Sequence, residues 1–296
     1  MKKIIALAMA ALLAISLAGC GAIQRGVEKV LESVSGPEAS SAAPTVAPEK
    51  NGENSDAEVP GDAPGVDFTV EETVLVDQDD VKITLTGVES SFSGPDFKML
   101  VENNRDEPIT VQVRNASVNG IMIDPVCSTD VSAGKKVNDT IGFWDWDLES
   151  AGIQTIGQFE FEFLIFNEET FDDIFQTDPI VIRTSADGAF EQAVDEAGAV
   201  VHDADGIKII VRHLMPQEDE DASSGPEVLV YIRNDTDRDI TVLVKEASVD
   251  GFTLDPVFAC DVLAGKKAFP LMRFDQEDLD ANDISALTKL EVSFEV

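Results

Sequence analysis

Residues Ala116–Val126 read ASVNGIMIDPV, and residues Ala247–Val257 read ASVDGFTLDPV. Each has an apolar run, then Asn-Gly or Asp-Gly, then a second apolar run. These dipeptides suit the type I′ turn, which needs positive φ at both central residues and whose twist matches a pair of antiparallel strands. Each stretch is therefore expected to be a β-hairpin. Pro125 and Pro256 cannot donate to a ladder, so they are expected at an edge or a bulge.

The repetition extends outward on both sides. Ala116–Lys136 and Ala247–Lys267 agree at 13 of 21 positions. From Gly94-Pro95 onward the two copies are offset by 131 residues, whereas Val81-Lys82-Ile83 meets Ile207-Lys208-Ile209 at an offset of 126. The difference falls in the loop MPQEDEDASSG, where insertion is cheap. Apolar and polar residues alternate at Val81–Leu85, Phe97–Val101, Ile109–Val113 and Phe159–Ile165. Period two with one apolar face marks half-buried antiparallel strands. The matched positions of the second copy keep the same parity, and a one-residue slip would expose every core side chain. The sequence therefore predicts one fold written twice. Only Leu148–Ile153 and Phe190–Glu196 suggest short helical turns.

About seven strands per copy with frequent turns argue an all-β chain of two tandem immunoglobulin-like β-sandwich domains. Residues 67–186 form the first and residues 187–296 the second. The first copy continues past Phe163 to an extra strand, Pro179–Ser185, which the second copy lacks. Two readings follow: a slightly smaller second sandwich, which is the expectation, or an exposed sheet edge along Leu290–Val296, open to a partner or a symmetry mate.

Residues 20–66 read differently. Ile23, Val27, Val30, Leu31 and Val34 fall at helical spacing and suggest a short amphipathic helix or a disordered stretch. Ser35–Asp67 is rich in Pro, Ala, Ser, Gly and acid, with little to bury, and is expected to be a flexible stalk. Before it, Lys2 and Lys3 precede an apolar run, Ile4–Leu17, that is short for a membrane span. The run ends in Leu17-Ala18-Gly19-Cys20. This resembles the lipobox of bacterial lipoproteins. The resemblance implies removal of residues 1–19, a lipid on Cys20 and the extracytoplasmic face of the cell membrane. The whole layout resembles bacterial surface lipoproteins with a low-complexity stalk and tandem immunoglobulin-like domains of unknown function.

The chain carries 21 Lys+Arg against 57 Asp+Glu. Such a charge disfavours nucleic acid and anionic lipid faces, and leaves cations or basic partners open. Cys127 and Cys260 do not align between the copies and read as small buried residues rather than a disulfide. His202 and His213 lie in no catalytic constellation, so no catalytic residue and no cofactor is expected. Asp235, Asp237, Asp239 and Glu246 match part of a Ca²⁺-loop spacing. However, Ile240 replaces the turn glycine and starts a strand pattern, so an acidic hairpin turn is expected. In Phe143–Asp147, FWDWD, Trp144 and Trp146 are expected on one strand face, which is either a packed edge, the domain interface, or a contact for a glycan or other ligand.

The resulting expectation is a non-catalytic binding, adhesion or spacer protein at the cell surface, with a protein or glycan partner. The alternative is a solute-binding or enzyme-associated lipoprotein with a carbohydrate or Ca²⁺ site. A cleft between the domains lined by converging acids would favour the alternative. A smooth end-to-end tandem would favour adhesion.

Overall fold

The computed structural model describes the backbone of residues 29–32, together with residues 66–216 and 225–296. The leader, Cys20, most of the stalk and the core of the MPQEDEDASSG loop lie outside the described residues.

One strand precedes the repeats: β1 (Lys29–Glu32). The first repeat contains β2 (Thr73–Gln78), β3 (Val81–Ser90), β4 (Pro95–Asn103), β5 (Ile109–Val118), β6 (Ile121–Met122), β7 (Ser128–Val131) and β8 (Lys136–Gly142). It continues with α1 (Asp145–Ser150), β9 (Gln158–Asn167), β10 (Asp173–Gln176) and β11 (Ile180–Arg183). The second contains β12 (Ala199–Ala204), β13 (Ile207–Leu214), β14 (Glu227–Asn234), β15 (Ile240–Val249), β16 (Phe252–Leu254) and β17 (Ala259–Val262). It ends with β18 (Lys267–Ala268), β19 (Leu271–Arg273), α2 (Gln276–Ala281) and β20 (Lys289–Glu295). The expectation of an all-β, sandwich-like fold holds. The strands are more numerous than expected, because Pro179 separates β10 from β11 and Pro270 separates β18 from β19, while the alternating stretches extend to ten residues in β3, β5 and β9. Lys29–Glu32 is strand, neither the short helix nor the disordered stretch expected of this segment; it pairs with β20.

In the first repeat β2-β3-β4-β8 form one sheet, and β5, β6, β7, β9, β10 and β11 lie in the other. In the second, β12, β13, β14, β18 and β19 answer to the first group, and β15, β16, β17 and β20 to the second. The alternation reads through into the core. Ile83, Phe97, Val101, Ile109, Val111, Phe159, Phe161, Phe163 and Ile165 are all fully buried. Phe97, Phe143 and Phe159 pack as a ring cluster with centroids 5.0–5.9 Å apart. A separate second core holds Val211, Val230, Ile232, Val242, Val249, Met272, Phe274 and Leu290.

Both quoted stretches are hairpins. Asn119 and Gly120 have φ of 52° and 79°, and Asp250 and Gly251 have 53° and 90°. Val118 pairs with Ile121 and Val249 with Phe252 across the turns. The turn side chains also reach the far strand. Asn119 Oδ1 accepts from the Gly157 and Gln158 amides, and Asp250 Oδ1 from the Lys289 amide. Local turn chemistry and sheet closure thus use the same residue.

The repeats are joined by more than their covalent link. Ile121 of β6 bridges Lys267 of β18, which fuses one sheet of each repeat into a single eleven-stranded sheet. The Lys267 amide donates to the Gly120 carbonyl at 3.0 Å. The Lys266 ammonium meets Glu160 at 2.8 Å. Phe269 packs on the first core and Met122 on the second. The connecting segment is pinned as well. Glu196 takes ion pairs from Lys208 at 2.6 Å and Arg233 at 2.8 Å, and accepts from the Tyr231 hydroxyl. Ile210, Leu229 and Tyr231 have outward parity yet are buried. Tyr231 lies between Glu196 and Phe269, whose ring centroid is 5.1 Å away. Its hydroxyl pKa is pushed up to about 12, first by burial and then by Glu196.

Candidate functional site

The first hairpin does double duty. Beyond its turn, Met122, Ile123 and Asp124 form one wall of a cleft between the repeats. Cys260, Asp261, Phe269 and Pro270 form the opposite wall. Trp146, Asp147 and Ser150 of α1 close one side. The cleft holds about 540 Å³ and has no lysine or arginine in its lining. Its geometry follows from the fused sheet, because β6 and β18 fix the two walls relative to each other.

Trp144 and Trp146 do not share a strand face. Trp144 is the extended residue that caps α1, and Trp146 is inside the helix. The helix is a single short stretch, too brief for a helical period to show in sequence, so the alternation of FWDWD imitates a strand. Asp145 and Asp147 occupy its first turn, where negative charge suits the helix dipole. The turn sends the two indoles to different places. Trp146, 55% exposed, lines the inter-repeat cleft. Trp144, 42% exposed, lines a separate cleft of about 320 Å³ with Asp96, Val126, Cys127 and Asp139. A third cleft, of about 390 Å³, lies on the other side of α1 beside Phe68, Leu148 and Ile153.

Asp147 is the electrostatic centre of the inter-repeat cleft. Burial pushes its carboxyl up to about 6, and Asp124 adds to the shift. The folded protein therefore binds more protons here than the unfolded chain does between about pH 4 and pH 6. This contribution to stability is present at low pH and lost as pH rises through 6. Asp147→Asn is expected to raise the melting temperature at pH 7.5 and leave it unchanged at pH 4. A gap that is constant across that range would show that the carboxyl titrates normally.

The remaining candidates separate. Cys127 and Cys260 are free and half-buried, and line different clefts. Desolvation pushes both thiols up to about 12, which keeps them protonated and poor nucleophiles. His202 lies on β12 and His213 on β13, both outside the cleft. Asp235 accepts from Arg233, Asp239 accepts from the Ala264 amide, and Glu246 lies within β15. These acids serve the turn and the strand. Among the described residues no group of three His, Cys, Asp or Glu side chains converges to hold a metal ion. Asp79-Asp80 and Asp205-Gly206 are positive-φ hairpin turns.

The residue that organises the acidic turn is one that sequence reasoning passed over. Asn234 is fully buried, and its amide donates to the carbonyls of Arg238 at 2.7 Å, Val262 at 3.0 Å and Leu263 at 3.1 Å. Asn103 makes the matching bonds to Glu107, Val131 and Ser132 in the first repeat. The signal was present, since Asn103 and Asn234 are identical residues at the 131 offset.

No family model matches the chain, and no curated protein is found similar to it. The site's chemistry therefore has to be read from its own residues.

Proposed function

We propose that the chain is a lipid-anchored, extracytoplasmic binding protein without catalysis, whose site is the cleft between the repeats. The observation that carries this reading is a cleft in which Trp146 supplies an exposed aromatic face and Asp124, Asp147 and Asp261 supply negative charge, the Phe269 ring being engaged by Tyr231 at 5.1 Å and by the Arg212 guanidinium at 5.5 Å. Lipid attachment at Cys20 and the membrane location follow from the Leu17–Cys20 resemblance. The cleft favours a solute-binding role over a plain spacer. Acids beside the exposed Trp146 indole, with no lysine or arginine in the lining, suit a ligand bearing a protonated amine, such as a lysine-rich peptide. A second reading, a neutral glycan, is favoured by the exposed Trp146 face alone. The chain's acidity argues against nucleic acid.

Calorimetric titration of the mature chain with lysine-rich peptides and with neutral oligosaccharides tests the reading. Binding of the peptide is expected to weaken more than tenfold in Trp146→Ala and to weaken with added salt. Trp144→Ala, in a different cleft, is expected to leave it unchanged. Oligosaccharide binding that is indifferent to salt would replace the first reading by the second. Binding of neither class would return the protein to adhesion or spacing. Anchoring is tested separately: Cys20→Ser is expected to release the protein from the membrane fraction.

A further inference from the structure

The duplication supplies its own reference for strand β1. In the first repeat, β11 pairs antiparallel with β9 through Ile180↔Phe161, Val181↔Glu160, Ile182↔Phe159 and Arg183↔Gln158. In the second repeat the strand equivalent to β9 is β20. Strand β1 pairs antiparallel with it through Lys29↔Val292, Val30↔Glu291, Leu31↔Leu290 and Glu32↔Lys289. Each β20 partner is the matching β9 partner moved by the repeat offset of 131. Val30-Leu31 therefore takes the register positions of Val181-Ile182, in the same direction and over the same length.

Coincidence is a poor account of this match. A four-residue strand could sit at several places along β20, in either direction. A one-residue slip would present the opposite face of the added strand. The register that occurs is the one that repeat 1 uses to finish its own sheet. There the inward position, Ile182, is buried, and its neighbour Val181 is half-exposed. In KVLE the residue at the Ile182 position is Leu31.

We propose that the edge of β20 is a strand-acceptor site whose occupant is this chain's own Lys29–Glu32 segment, which completes the second repeat in cis. The edge that the duplication leaves open is then closed from the other end of the chain. One consequence rests on the proposed lipidation of Cys20. Eight residues lie between Cys20 and Lys29, and nine steps of about 3.3–3.6 Å span no more than roughly 32 Å. The second repeat, last in sequence, would then be held close to the membrane.

The test uses the mature chain with Cys20→Ser, so it does not depend on lipidation. Leu31→Pro removes a ladder donor and blocks strand pairing. Hydrogen exchange is expected to speed up at least tenfold at the alternate amides of Lys289–Val292 that face β1, with β9 unaffected. Unchanged exchange at those amides would overturn the proposal. A second variant joins Val30→Cys to Glu291→Cys in a chain with Cys127→Ala and Cys260→Ala. Oxidation is expected to give an internal cross-link that migrates as a monomer. A covalent dimer would overturn the assignment in cis and give the strand to a second copy. Loss of membrane association in Cys20→Ser reports on the anchor alone, so the two readings fail independently.

Discussion

Asn234→Leu is expected to cost the second repeat about 3 kcal/mol, enough to consume much of a small domain's stability. The side chain is fully buried, and its amide serves three backbone carbonyls from two separate segments. Its Oδ1 also accepts from the Thr236 amide at 3.0 Å and the Thr236 hydroxyl at 2.6 Å. Leucine fits the volume but removes all of these bonds. The Arg238 and Leu263 carbonyls keep a second donor, in the Thr236 hydroxyl and the Lys266 amide respectively. The Val262 carbonyl and the Thr236 amide lose the side chain that serves them, and a buried unsatisfied group costs roughly 1–3 kcal/mol. Asn234→Asp should fare no better, because it places a carboxylate against carbonyl oxygens. Asp235→Ala, at the exposed neighbour, should change stability by less than about 0.5 kcal/mol. Urea denaturation separates the cases. Equal effects of Asn234→Leu and Asp235→Ala would mean that the acids hold the turn. Restoration of the leucine variant by Ca²⁺ would mean that a metal does.

This prediction marks where sequence and structure part. Features governed by local periodicity were legible. The Asn119-Gly120 and Asp250-Gly251 turns, the buried parity of Phe159, Phe161 and Phe163, and the duplication each follow from signals a few residues long. Features set by distant contacts were not. Ile210, Leu229 and Tyr231 point away from their own core; the unbroken apolar runs Ile209–Val211 and Val228–Ile232 signal burial on both faces but say nothing of what covers the second face. Val30 and Leu31 fall at helical spacing but add to a strand more than 250 residues away in sequence. Half of the candidate site was legible as residues: Trp146 stands in the cleft. Its partners were not, because Asp124, Asp261 and Phe269 meet it only after β6 and β18 fuse the sheets.

Gly94→Ala is expected to destabilise the first repeat by about 3 kcal/mol and to disturb a site the glycine never touches. Gly94 has φ of 139°, and a Cβ there would stand 2.5 Å from the Phe143 carbonyl oxygen and 2.8 Å from Asp145 Oδ1. The close approach exists because the two segments are bonded on either side of it. The Asp145 amide donates to the Ser93 carbonyl at 2.7 Å, and the Phe143 amide to the Pro95 carbonyl at 3.2 Å. These bonds hold the start of α1, and with it both Trp144 and Trp146. A methyl group would push Phe143–Asp145 outward and rotate the helix that closes the inter-repeat cleft. The chain has only 2 tryptophans, so intrinsic fluorescence reads this segment directly. A shifted emission maximum is expected, together with more than tenfold weaker binding of the lysine-rich peptide proposed as the cleft's ligand. Gly152→Ala serves as the control, since Gly152 has φ of 69° but open space where a Cβ would go. It should cost only about 1 kcal/mol of backbone strain and leave emission and binding unchanged. If Gly94→Ala lowered stability while emission and binding stayed as in the wild type, α1 would be positioned by its own packing through Leu148. The strand end at Gly94 would then have no part in shaping the cleft.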